Sequence, residues 1–410
     1  MPAAPWGAVD EVVAAAAAVD WSKLAERALC DSCLGRLFGK VGHGHTNEER
    51  GRSVRDLAEI RIGPCWICDG LTGRYDDLAD LVARKLEPWA FDTFRVGSKV
   101  DPEIAAREES LWTHLGLTGP EPVKAEVNRE VGKRVSERIR KEPDVARPDI
   151  VAVLDTAFDH VDLQVNPLYL RGRYRKLARG VPQTRWPCRR CMGKGCARCG
   201  GTGKMYPTSV EEVIAAEVMR ETGGTGHALH GMGREDVDAR MLGRGRPFIL
   251  EVKEPRRRRF DMVAAVDRIN ASGIVEVDGL VPSDGGAVVA LKEDRAAKSY
   301  RVVVRTTPVV PEAKLKGALL VLVPEPIAQR TPGRVVHRRA DTTRARRLLA
   351  AEVVGVEGDR AEIRVTAEAG TYIKEWVHGD GGRTRPSLSE RLGVACEVLE
   401  LDVLDIHDGG

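Results

Sequence analysis

Apolar residues recur along this chain in two rhythms, and the rhythm changes near residue 207. Residues 12–29 read as a helix. Residues 74–87 place Leu78, Leu81, Val82 and Leu86 at helical spacing and stop at Pro88. Residues 122–141 carry Val127, Val131, Val135 and Ile139 as a stripe four apart, with Lys, Arg and Glu on the other faces, which predicts a second surface helix. DIVAVLDT (149–156) and VDLQV (161–165) read as strands, the second alternating Val161, Leu163 and Val165. Beyond 207, Ser209 and Glu212 form a capping-box pattern that opens the helix VEEVIAAEVMRET. Short strand candidates then follow in series: PFILEV, GIVEV, AVVALK, YRVVVRT, ALLVLV, AEVVGV, RAEIRVTA and EVLELDVLDI. One helix candidate, MVAAVDRIN, interrupts them and ends near Gly273. The fold class expected is α+β, in several domains, with a mixed or antiparallel sheet over 207–410.

Composition changes this picture little. With 410 residues, 42% of them hydrophobic and 30% charged, the chain is long enough for two or three folded domains. No apolar run reaches the length of a membrane-spanning helix, and acids flank the alanine stretch Ala14–Ala18, so no membrane partner and a cytoplasmic location are expected. The net charge of +3 does not announce a polyanionic partner, but its distribution does. Arg171 to Met205 holds eleven Lys/Arg and no acid, and Gln329 to Arg347 holds seven Arg against Asp341 alone. Such single-sign blocks suit phosphate, and Arg173 and Lys176 in the first block are candidate contacts.

The cysteines change it more. Eight of the nine form C-x-x-C pairs: Cys30/Cys33, Cys65/Cys68, Cys188/Cys191 and Cys196/Cys199. Two residues between thiols let both reach one ion from a tight turn, and two such turns complete a tetrahedron. The set in WPCRRCMGKGCARCGGTGKMY is compact, with glycines at the reversals; CDSC and CWIC lie about thirty residues apart. A redox role for CDSC lacks the surrounding βαβ pattern. Four thiolates leave no ligand position for water, so two structural zinc sites are expected, not catalytic ones. Cys396, in an apolar segment, reads as a buried thiol. The expected organisation is an N-terminal zinc module over 1–69, an α+β module over 70–180, a second zinc knuckle over 181–206, and the sheet domain over 207–410.

The candidate chemistry lies in GMGREDVDARMLGRGRPFILEV (231–252) and EAGTYIKEWVHGDGGRTRPSLSERLG (368–393), the latter with a strand-like TYIKEWV. Asp236 or Asp238 alone among so many arginines would be an ordinary ion-pair member. Yet GRED followed by V-D-x-R resembles the catalytic loop of pseudouridine synthases, as do QRTPGRVVHRRAD (329–341) and the G-x-Y-I-K-x-x-V-H-G-D-x-G-R-T-x-P-S-L pattern. The element order of the second module and its ending PLYLRGRYRK resemble a THUMP RNA-binding domain. End to end, without a clear departure, the chain resembles the archaeal tRNA pseudouridine synthases acting on positions 54 and 55. That resemblance implies a THUMP-like role for 70–180 and a catalytic role for 207–410. It makes Asp236 the catalytic aspartate, with Asp238 as runner-up, Tyr300 the active-site tyrosine stacking on the target base, and Lys374 the aspartate's basic partner. It places Tyr372 against substrate and makes Ile373 and Leu401 the apolar wall behind the tyrosine. Arg234 is a second candidate for holding the carboxylate ionised. The partner implied is the TΨC arm of tRNA, with no obligate protein partner. An isomerisation needs no catalytic cofactor. A THUMP-bearing methyltransferase or thiouridine synthetase would need a glycine-rich cofactor loop or an ATP loop, and neither is present. The alternative is a non-catalytic, zinc-containing tRNA-binding or chaperone protein, which shares every feature except dependence on Asp236.

Overall fold

The computed structural model describes residues 7–24, 27–61 and 63–408, and the chain forms two compact units. The first runs through Asn166 and takes in Arg256–Arg258; the second holds Pro167–Pro255 and Arg259 onward.

In the first unit, a four-stranded sheet runs in the order Glu142–Pro143, Thr93–Lys99, Ile150–Asp155, His160–Val165, with the first three parallel and the last antiparallel. The helices Tyr75–Leu86 and Val123–Ile139 fall where the spacing predicts. Val127, Val131 and Val135 are fully buried. Each contributes roughly 1.5–3 kcal/mol by leaving water. Two further elements are the helix Pro102–Leu115 and the strand Thr93–Lys99, which buries Phe94, Val96 and Ser98 in alternation. Asp101 caps that helix through the Glu103 amide, and Gly116 ends it in the left-handed region. The helix expected over 12–29 is Gly7–Ala17 followed by a short turn at Trp21–Leu24, while residues 25 and 26 lie outside the described residues. The region 1–69 is not a separate module. Cys33, Cys65 and Cys68 share one apolar cluster with Leu78, Val82 and Val127.

In the second unit, one path of strands runs Leu348–Glu357, Arg360–Ala367, Ala297–Thr307, Ala395–His407, Arg240–Lys253, Leu168–Lys176, Val275–Ser283, and Gly226–Gly231 pairs alongside Arg240–Lys253. A smaller sheet joins Thr343–Arg346, Ile327–Arg330 and Thr384–Arg385. The segment Leu168–Lys176, expected to close the THUMP-like module at 180, belongs here instead. It lies between Arg240–Lys253 and Val275–Ser283, hydrogen-bonded to both. Its alternation gives the reason: Leu170, Tyr174 and Lys176 point into this unit's core.

Three strand expectations are corrected to helix. ALLVLV lies in Glu312–Leu322, which buries Leu315, Ala318, Leu319 and Leu322 at helical spacing. AVVALK lies in Gly285–Glu293, capped by Asp284 through the Ala287 amide. TYIKEWV holds the helix Ile373–His378. Each run is apolar over too few residues for its phase to distinguish the two periods. The helix Val210–Thr222 forms as expected, with the Ser209 hydroxyl accepting from the Glu212 amide. Among the described residues no helix is long and apolar enough to cross a membrane.

Candidate active site and metal centres

Asp236 sits on the loop between the strands Gly226–Gly231 and Arg240–Lys253. The loop rests on a buried polar cluster. Tyr174 donates its hydroxyl to both carboxylate oxygens of Glu235, at 3.0 and 2.9 Å, and Arg246 donates to Glu235 at 2.8 Å. Gln183 donates to the Tyr174 hydroxyl at 2.9 Å and to the Gly233 carbonyl at 3.0 Å. Lys176 donates to the backbone carbonyls of Val181, Asp236 and Val237 at 2.7, 3.0 and 3.2 Å. These bonds satisfy buried polar groups and hold the loop backbone.

Lys176 is fully buried, so it cannot grip a phosphate; the sequence expectation for it is corrected. Arg173 is also committed inward, donating to Asp408 and to the carbonyls of Arg244 and Gly245. Arg234 points to Gln183 and Thr184, each at 3.4 Å, and not to the Asp236 carboxylate.

The cation closest to Asp236 was not singled out from the sequence. Arg334, in the 329–341 motif, donates to an Asp236 carboxylate oxygen at 2.8 Å and to buried Glu375 at 2.6 Å. Burial opposes its charge, but the bond to Glu375 and the charge of Asp236 outweigh that and raise its pKa. The signal available in sequence was the placing of both arginine and acid inside motifs, without the pairing between them.

Lys374 lies 3.5 Å from Asp236 and donates more closely to Asp238, at 2.8 and 2.7 Å. It gets there because TYIKEWV is helical. Ile373, Trp376 and Val377 face the core while Lys374 and Glu375 are turned toward Asp238 and Arg334. Tyr372 caps that helix. Its amide donates to Gln329, Gln329 donates back to its carbonyl, and its hydroxyl accepts from Arg339 at 2.7 Å.

Tyr300 lies on the strand Ala297–Thr307, paired with Val403 and two residues from Val302, which pairs with Leu401. Tyr300, Ile373 and Leu401 belong to one buried cluster. Leu399 falls in a register shift between Val398 and Glu400, which interrupts the strand's alternation just before Leu401. Burial pushes the Tyr300 phenol up to about 12, against the pull of the Arg246 guanidinium. It therefore remains an O–H group over the working pH range.

Both cysteine sets close into clusters whose four sulfurs lie within 4.8 Å of one another. Four sulfurs on one zinc stand about 3.8 Å apart. Cys30 and Cys68 are 3.7 Å apart; Cys188–Cys196, Cys191–Cys199 and Cys196–Cys199 are 4.0, 3.9 and 3.8 Å apart. Backbone amides point at the sulfurs as they would at thiolates: Cys33 at Cys30, Gly195 at Cys191, and both Cys196 and Gly203 at Cys199. The donor sets fit a tetrahedral, thiophilic ion. Cys396 is buried, away from both clusters, as expected.

The family described as Pus10, C-terminal, matches residues 169–407, and the archaeal Pus10 THUMP domain matches 78–155. These bounds agree with placing Leu168–Lys176 outside the THUMP region. The chain is 42% identical to the tRNA pseudouridine synthase Pus10 of Methanothrix thermoacetophila, over 92% of this chain and 91% of the relative. It is 41% identical to the protein of that name from Methanopyrus kandleri, over 93% and 96%. The one from Thermoplasma acidophilum is also 41% identical, over 95% and 98%.

Proposed function

The chain belongs to the Pus10 family of tRNA pseudouridine synthases, and from that premise we propose that it isomerises uridines 54 and 55 in the TΨC arm of tRNA, with Asp236 as the working carboxylate. One observation carries the assignment to Asp236: it is the carboxylate that both Arg334 and Lys374 approach, on a loop anchored from below by buried groups. Asp238 is 69% exposed at its side chain, and among the described residues its carboxylate is hydrogen-bonded to Lys374 and not to Arg334, which supports a structural part for it.

The reaction breaks the bond from C1′ of ribose to N1 of uracil, turns the base, and joins C1′ to C5. The C5 proton is lost and N1 gains one, so the sum is an isomerisation and needs no oxidant, reductant or nucleotide. Asp236 acts on the sugar or base as charge develops there. Arg334 and Lys374 orient that carboxylate and balance its charge. Tyr300 offers a flat face and a protonated hydroxyl, and Ile373 and Leu401 form the apolar wall for a base taken out of its stack. Tyr372 and Arg339 line the approach. Zinc in the two cysteine clusters would serve folding, with no part in the chemistry.

The proposal is tested with a tRNA transcript carrying tritium at C5 of uridine. Incubated with the protein and no added cofactor, it is expected to release tritium to water. A tRNA that binds but releases none would overturn the reading.

A further inference from the structure

Arg36 is fully buried beside the first cysteine cluster and shares its charge between the cluster and two helices of the THUMP region. It ends the short helix Asp31–Arg36, one turn after Cys33. One guanidinium nitrogen donates to the Cys33 sulfur at 2.9 Å. A second pairs with Glu108 on the helix Pro102–Leu115. The third, Nε, lies 3.0 Å from an oxygen of Glu126 on the helix Val123–Ile139, as an ion pair off the hydrogen-bond axis. The planar fork of arginine lets one side chain face three acceptors, which the single nitrogen of a lysine cannot span.

The surroundings fix this arrangement. A Cβ at Gly35 would lie 1.7 Å from the Asn47 carbonyl oxygen, and one at Gly51 would lie 1.9 Å from that of Asp31. The helix carrying Cys33 and Arg36 therefore packs backbone to backbone against Asn47–Arg55. From the other side, Glu108 accepts from the Val123 amide at 2.9 Å, and the Arg36 carbonyl accepts from the Glu121 amide at 2.9 Å. Cluster, arginine and the start of the helix Val123–Ile139 are thus joined by side chain and backbone alike.

The charges explain why an arginine stands here. A divalent ion on four thiolates leaves a negative centre. Glu108 and Glu126, both buried, add negative charge on the far side. Arg36 lies between them, and a buried charge is tolerated only when it is paired. An N–H bond to a metal-bound thiolate is charge-assisted, and so stronger than one between neutral groups. At the second cluster, by contrast, the sulfurs of Cys191 and Cys199 accept from backbone amides.

We infer that Arg36 is the outer partner of the first metal centre: it stabilises the metal-bound Cys33 thiolate and ties metal loading to the placement of the helices Pro102–Leu115 and Val123–Ile139. Loss of the ion takes the charge from one of the arginine's three partners and frees one anchor of those helices. The inference rests on the metal reading of the cysteines and not on the tRNA chemistry.

The test compares the full chain with two of its variants, Arg36→Met and Glu108→Gln. Zinc content, thermal unfolding and the rate of zinc transfer to an excess of a chromophoric chelator are measured on each. Cobalt(II) is also exchanged for zinc to record the thiolate-to-cobalt absorption bands. Both substitutions remove an anchor of the two helices and are expected to lower the thermal midpoint. Arg36→Met alone is expected to release the later-leaving ion at least about tenfold faster and to shift the cobalt bands, because it alone removes the cation at Cys33. The earlier phase, from the knuckle, is expected to be unchanged in both. Equal acceleration in the two variants, in step with lost stability, would overturn the inference, as would no acceleration in either. Should Arg36→Met not fold, it is combined with Glu108→Gln and Glu126→Gln, which removes the carboxylates left unpaired. Its later phase is then expected to be about tenfold faster than that of the Glu108→Gln, Glu126→Gln pair, and equal rates would overturn the inference. Fewer than two zinc ions on the unaltered protein would sink the metal reading itself. Two ions, with Arg36→Met releasing them no faster, would sink only this inference.

Discussion

Side-chain identity was readable where a residue's partners are close in sequence or fixed by a motif, and unreadable where they are distant. Lys374 comes within 3.5 Å of Asp236, and Tyr300 lies close enough to feel the Asp236 charge. Arg334 did not stand out, because its partners Asp236 and Glu375 are 98 and 41 residues away. Lys176 was misread although the information was present: in LYLRGRYRK, alternation puts Lys176 on the face of Leu170 and Tyr174, and a basic count ignores faces. The bridge from Arg334 to Glu375 gives a prediction at this scale. Arg334→Gln leaves Glu375, 2% exposed at its side chain, without its cation. That variant should lose stability, about 1–3 kcal/mol, as well as turnover. Adding Glu375→Gln should restore the thermal midpoint and leave turnover low, because Asp236 remains unsupported. Recovery of both in the double variant would show that Arg334 serves the fold alone.

At the scale of elements, long periodic helices and alternating strands were legible, and short apolar runs were not. Ile373–His378 decides the site: as a strand it would send Lys374 and Trp376 to the same face, and as a helix it separates them. The two cysteine clusters differ in what depends on them. In the first, Cys33, Cys65 and Cys68 are buried in the core of its unit, and Arg36 ties Cys33 to the buried carboxylates Glu108 and Glu126. The second stands on its own stalk, with three of its four cysteines only half-buried. A strong chelator is therefore expected to remove two zinc ions per chain in two stages. Loss from the knuckle should come first and leave amide-exchange protection of the large sheet intact. Loss from the first cluster should unfold the surrounding helices. Release of both ions in a single step with global unfolding would contradict this difference.

At the scale of the whole chain, the presence of a THUMP region and a sheet domain was legible, because the helix-rich and strand-rich halves differ in period. The boundary between them was not, since PLYLRGRYRK was assigned by order along the chain and a strand's sheet partners are not local. The consequence is physical. Leu168–Lys176 holds Arg240–Lys253 to Val275–Ser283, and a fragment beginning at 181 lacks it. A fragment of residues 167–410 is expected to unfold cooperatively. One of 181–410 should instead lack a sharp transition and expose apolar surface to a fluorescent dye. Equal stability of the two fragments would show that the strand is dispensable.

The most direct measurement maps pseudouridine in an unmodified tRNA transcript, by carbodiimide adducts and reverse-transcription stops, after incubation with the protein or with Asp236→Asn and no cofactor. Stops are expected at positions 54 and 55 with the unaltered protein. With Asp236→Asn they are expected to be lost, by at least about a thousandfold in rate, at near-normal tRNA affinity and zinc content. Stops that persist at full strength with Asp236→Asn would contradict the assignment of the working carboxylate.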